Sequence, residues 1–137
     1  MDTINYNDIT FQQSEMYKKF VKENTTSGIL NIRAYAANKA LPVEGMEVIV
    51  YKIMDNKRVV FFDGKTDNSG LIENINLPTP EISTNDLVKP PSQDYNIEAI
   101  YDMQDLKFKI TMYANVSVNQ NINVVPILRT DGNSYGN

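Results

Sequence analysis

The run Leu41-Pro42-Val43-Glu44-Gly45-Met46-Glu47-Val48-Ile49-Val50-Tyr51 constrains the fold more than any other stretch of the chain. Pro42 removes a backbone donor and so belongs at a sheet edge. Gly45 supplies the permissive backbone at which a strand can begin. Downstream, Thr66-Asp67-Asn68-Ser69-Gly70-Leu71 reads as a second turn, reversed by Asx chemistry and a glycine.

Around these turns the apolar residues alternate with period two. In residues 29–36, Leu30, Ile32, Ala34 and Ala36 face one way and Asn31, Arg33 and Tyr35 the other, as in half-buried antiparallel strands. Residues 46–53 and 58–66 read as a hairpin joined by Met54-Asp55-Asn56-Lys57. Its apolar window, Val59-Val60-Phe61-Phe62, is bracketed by the charges of Lys57, Arg58 and Asp63, which discourage aggregation. Further strands are expected at 71–77, 95–102, 107–113 and 120–128, with a short extra strand at 116–118. The pattern predicts an all-β protein, an immunoglobulin-like (prealbumin-like) Greek-key β-sandwich of about seven strands with a short N-terminal amphipathic helix.

Three zones follow: a polar N-terminal segment with the helix (1–27), the sandwich (28–128) and a Gly/Asn-rich tail expected to fray (129–137). Thr10, with Gln13 three positions on, has the capping-box pattern for the helix. Met16, Tyr17, Phe20 and Val21 then form one apolar stripe. A helix this short needs a docking surface, which is either the sandwich itself or a groove on a partner protein. Residues 78–93 contain Pro78, Pro80, Pro90 and Pro91 without periodicity and read as a long surface loop. The candidate partner-binding residues are therefore Met16, Tyr17, Phe20 and Val21 on the helix, with Leu87, Val88, Pro90 and Pro91 on the loop.

The 137-residue length suits one domain, and 22% charged with 42% apolar residues is the composition of a soluble globular protein. A net charge of −4 without a Lys/Arg cluster argues against nucleic-acid binding. The chain has neither cysteine nor histidine, so thiol nucleophiles, Ser-His-Asp devices and Cys/His zinc sites are ruled out. The pairs Asp63/Asp67 and Asp102/Asp105 lack the spacing of a calcium loop. No catalytic residue, metal site or cofactor is assigned, and the expectation is that the chain is not an enzyme. Among eight tyrosines, Tyr35, Tyr51, Tyr101 and Tyr113 fall on expected strands, where they pack into the sandwich or stack on sugar rings. The N-terminus lacks the pattern of a signal peptide and no apolar run is long enough to span a bilayer, so synthesis in the cytoplasm is expected.

The order of these signals carries a family resemblance. Phe20-Val21-Lys22-Glu23-Asn24 leads into Gly28-Ile29-Leu30-Asn31-Ile32-Arg33-Ala34-Tyr35. The two turns follow, then Leu77-Pro78-Thr79-Pro80, Tyr95-Asn96-Ile97-Glu98-Ala99 and Asn121-Ile122-Asn123-Val124-Val125-Pro126. Over residues 16–127 this resembles the carboxypeptidase-regulatory-like (prealbumin-like) sandwich of clostridial proteins, notably beside the catalytic region of spore cortex-lytic enzymes. Leu106-Lys107-Phe108 stands where such domains often place a Gly-Tyr pair. The resemblance implies the fold of an accessory domain and a spore or cell-envelope setting. Together with the helix, the 78–93 loop and the strand edges as candidate surfaces, it gives the expectation of a non-catalytic β-sandwich that mediates protein–protein association, self-association included, as an accessory or structural part of spore or cell-envelope assembly or cortex lysis. It implies no lytic activity, and the purine-pathway hydrolase on this fold depends on histidines that are absent here. Two alternatives stay open: a peptidoglycan-binding module, and a structural protein of a phage tail.

Overall fold

A computed structural model describes residues 1–37, 41–83 and 88–125. Within them lie nine strands and two short helices. They are β1 (Asp2–Asn5), α1 (Ile9–Gln12), α2 (Glu15–Glu23), β2 (Thr26–Ala36), β3 (Leu41–Pro42), β4 (Glu47–Met54), β5 (Lys57–Lys65), β6 (Leu71–Thr79), β7 (Gln93–Tyr101), β8 (Gln104–Met112) and β9 (Ser117–Val124). One sheet has the order β1-β5-β4-β7-β8. In the other, β2 lies between β9 on one side and β6 with β3 on the other. The pairings β1–β5 and β2–β9 are parallel.

Each of the seven expected main strands is present. Two short ones join them: β1 extends the larger sheet, and β3 pairs Leu41 and Pro42 with Ala36 and Tyr35. The separate strand expected at 116–118 is instead the start of β9, which runs unbroken from Ser117. β6 likewise continues through Pro78 to Thr79, into what reads in sequence as loop. The tail 129–137 lies outside the described residues.

The core fills the space between the sheets. Leu30, Ile32, Ala34, Ile75, Leu77, Ile122 and Val124 of the smaller sheet meet Val48, Val50, Tyr95, Ile97, Ala99, Ile110 and Met112 of the larger. These are one set of alternate positions on each strand, so the period-two pattern becomes a buried face. Two local irregularities shape the sheets. Phe61 is an extra residue opposite Val50 and Tyr51, a bulge that turns its ring toward the helices. In β6, Glu73 and Asn74 (φ +63) together oppose the single residue Asn31 of β2, a second bulge. The Asn31 side chain accepts from Asn74 N at 2.9 Å and donates to Asn119 Oδ1 at 3.1 Å, tying β6, β2 and β9 together.

The two turn motifs are joined by Thr66. Its buried hydroxyl donates to Val43 O at 2.6 Å and accepts from Met46 N at 3.0 Å. Its backbone also exchanges hydrogen bonds with Gly45 and Met46. Asp67 Oδ1 accepts from Ser69 N and Leu71 N, each at 2.9 Å, which closes the Asx turn. Gly70, at φ +77, donates to Asp67 O, and its carbonyl accepts from Ala34 N. A Cβ at this position would lie 2.3 Å from Ala34 O, so only glycine fits.

The helix begins differently from the Thr10 capping box. Asp8 caps α1 by accepting from Thr10 N at 2.8 Å. Ser14 then starts α2, its hydroxyl accepting from Tyr17 N at 3.2 Å and donating to Phe11 O at 2.6 Å. Two good N-caps six residues apart in sequence produce two helices, because each cap requires extended backbone at its own position.

Candidate functional site

The apolar stripe of α2 sits on an aromatic cluster. Tyr6, just after β1, stacks on Phe61 at 4.3 Å and lies 5.4 Å from Tyr17, 5.9 Å from Phe20 and 6.1 Å from Phe11. Phe61 also meets Phe20 at 5.7 Å and, edge to face, Tyr95 at 5.1 Å. Tyr95 donates its hydroxyl hydrogen to Pro78 O, while the Lys52 ammonium lies over its ring and donates to Asp94 O. Burial, with a contribution from Tyr17, pushes the Tyr6 hydroxyl up to about 12. Burial likewise raises Tyr95, and it lowers Lys52 against the pull of Asp94.

The structure thus brings Tyr17 and Phe20 together around Tyr6, with Phe20 buried, Met16 and Tyr17 half-buried and Val21 exposed. In the connection from β6 to β7, Val88 is 99% exposed and Pro90 and Pro91 are half-buried, while Leu87 lies outside the described residues. Sequence reasoning missed Tyr6 and Phe61 as the anchor of the helices. The signal at Tyr6 was the two-residue spacing from Ile4, too short a run to read as a strand.

The outer face of the larger sheet is charged. Arg58 of β5 reaches Glu98 of β7 at 2.6 Å and lies over the Tyr51 ring at 4.1 Å. Burial favours a neutral Glu98, but the hydrogen bond and charge of Arg58, helped by Asp105, hold its carboxyl below the usual range. Asp105 and Glu47 are pushed up, chiefly by their hydrogen bonds with Glu98 and Asp63 respectively. Among the tyrosines considered for sugar stacking, Tyr35 is buried, Tyr51 is covered by Arg58, and Tyr101 and Tyr113 are half-buried. On the outer face of the smaller sheet, a groove of about 350 Å³ is lined by Asn31, Arg33, Leu71, Glu73, Asn119 and Asn121.

Both sheets end on strands with an unpaired side among the described residues. The two-residue turn at Asp102 and Met103 makes Tyr101 and Gln104 a hydrogen-bonded pair. By alternation, Asp105, Lys107, Lys109 and Thr111 of β8 then point their backbone groups away from β7. On β9, Ile29 N donates to Val116 O at 3.0 Å in the parallel register Ile29↔Ser117. Ser117, Asn119, Asn121 and Asn123 therefore point their backbone groups outward.

No protein-family profile and no curated protein matches the sequence. Solved structures do match. The 5-hydroxyisourate hydrolase of Klebsiella pneumoniae superposes with a TM-score of 0.50 at 12% identity, over 73% of this chain and 91% of the hydrolase. A variant of the shaft pilin SpaA from Lactobacillus rhamnosus GG superposes with a TM-score of 0.51 at 18% identity, over 74% of this chain. The match spans about half (49%) of that pilin's length. The fold is a prealbumin-like β-sandwich.

This corrects the expectation that the chain is not an enzyme, because a protein on the same fold is a hydrolase. Missing histidine and cysteine remove two catalytic devices and leave others. Carboxyl groups with raised affinity for protons, as at Glu47 and Asp105, are one kind of group that general acid–base chemistry uses. At 12% identity the likeness is one of fold and transfers no reaction. Among the described residues no helix is long and apolar enough to cross a membrane.

Proposed function

We propose that this β-sandwich is an association module that holds a protein partner within a larger assembly. The observation that carries this reading is the side of β9 that is unpaired among the described residues, which offers a row of main-chain donors and acceptors to an added strand. A fold shared with a shaft pilin supports it. Exposed Val88 and Val21, with half-buried Met16, Pro90 and Pro91, are side-chain contacts that such a partner could add. A cell envelope or a spore is the setting that the sequence resemblance suggests for the assembly.

The test is cross-linking in the cells that make the protein, followed by mapping of the linked peptides. Links from β8, β9 or the β6–β7 connection to one defined protein, or to another copy of this chain, are the expected result. Recovery of the chain without any defined linked protein overturns the reading.

The amide-lined groove favours a second reading, a peptidoglycan-binding module, since Asn31, Asn119, Asn121, Arg33 and Glu73 all offer hydrogen bonds to sugar hydroxyls. Sedimentation with purified peptidoglycan separates the two. Co-sedimentation that Arg33→Ala abolishes supports glycan binding, and a chain that stays in the supernatant removes it.

A further inference from the structure

Among the described residues, three of the borders of the two sheets are guarded against strand addition, and one is open. β1 is only four residues long and begins with Asp2. β8 carries Asp105, Lys107 and Lys109 at the very positions whose backbone groups face outward. β6 is bent at Asn74, where φ is +63, and contains Pro78, which has no amide hydrogen. Charge, proline, bulges and short length are the devices that keep sheet edges from pairing.

β9 has none of them. Its eight residues, Ser-Val-Asn-Gln-Asn-Ile-Asn-Val, include no charged residue, no proline and no glycine, and none has a positive φ. Ile122 and Val124 are buried in the core and hold the strand against the body of the sandwich. The outward carbonyl of Asn121 accepts from its own neighbour, Gln120 Nε2, at 3.0 Å. That bond is exposed, and a pairing strand would replace it.

The outward row is also complementary to itself. An asparagine amide both donates and accepts, so asparagine can face asparagine without charge repulsion. Asn119, Asn121 and Asn123 are evenly spaced and read the same in both directions about Asn121. We propose that β9 pairs antiparallel with β9 of a second copy of this chain across a two-fold axis through Asn121. Asn121 then faces its own copy and Asn119 faces Asn123 of the second copy. These are the residues whose backbone groups are free, so each facing pair exchanges main-chain hydrogen bonds. The smaller sheets of the two copies join into one continuous sheet with an isologous seam. This inference rests on the association reading and names its partner.

Sedimentation equilibrium of the full chain tests it. The wild type forms a dimer whose fraction rises with concentration. Asn121→Pro removes an amide hydrogen that points away from β2, so it spares the β2–β9 bonds and weakens the dimer by about tenfold or more. Asn121→Lys, which sets two lysines face to face across the axis, does the same without a backbone change and serves if the proline variant fails to fold. A wild type that stays monomeric at every concentration overturns the proposal, as does a dimer that neither folded variant weakens. Monomeric pure protein together with a defined heterologous partner in the cross-linking experiment sinks the self-pairing and leaves the association reading standing.

Discussion

Thr66 is 4% exposed and spends its hydroxyl on both sides of one turn, as donor to Val43 O and acceptor from Met46 N. Valine is nearly the same shape but leaves the amide of Met46, a fully buried residue, without that acceptor. Thr66→Val is expected to cost about 1–3 kcal/mol in chemical denaturation, the cost of a buried unmade hydrogen bond. Met103 is the opposite case. It is 95% exposed and sits at φ +68 in the two-residue turn between β7 and β8, where a side chain is a steric burden. Met103→Gly is expected to stabilise the protein by about 0.5–1 kcal/mol, read as a raised denaturant midpoint at unchanged slope. At this scale the sequence was legible where chemistry is local. Asp67, Ser69 and Gly70 announced their turn, whereas the partners of the Thr66 hydroxyl could not be read because they lie across the turn pair, 20 and 23 residues away.

Among the elements, α1 and α2 depend on borrowed surface. Helices of four and nine residues are too short to persist alone, so their order comes from the rings of Tyr6, Phe61 and Tyr95 beneath them. Phe20→Ala is expected to cost about 3 kcal/mol and to speed amide hydrogen exchange in α2 more than in β4 or β7. The Tyr6 hydroxyl, raised from 10.0 to about 12, adds an alkaline signature. A raised folded value means that its share of stability is complete below pH 10 and is lost as pH rises through about 12. The ultraviolet titration of wild type minus that of Tyr6→Phe should show a phenol ionising near 12, and a midpoint near 10 would show the ring to be solvated. The stripe of Met16, Tyr17, Phe20 and Val21 was visible as a stripe. Its docking on Tyr6 and Phe61 was not, because a bulge in β5 turns Phe61 toward the helices and no local pattern announces a bulge.

For the molecule as a whole, the chain is closed by pairings between its distant parts. β9 lies parallel to β2, and Asn31 meets Asn119 across 88 residues of sequence. Such contacts demand loop closure before they repay it, which makes folding slow for the size of the protein. Refolding followed by tyrosine fluorescence is expected on a timescale of about milliseconds to seconds, and a microsecond phase carrying the full amplitude would contradict the topology.

The sequence by itself determined the strands, their buried faces and most of the turns, since side-chain alternation and turn chemistry act over a few residues. Only the tertiary structure decided that β1 borders β5, that β9 runs parallel to β2, that Arg58 reaches Glu98, and which strand borders remain unguarded. Those outcomes depend on which strand becomes whose neighbour. That choice is made by packing between residues far apart in the chain, and no local period records it.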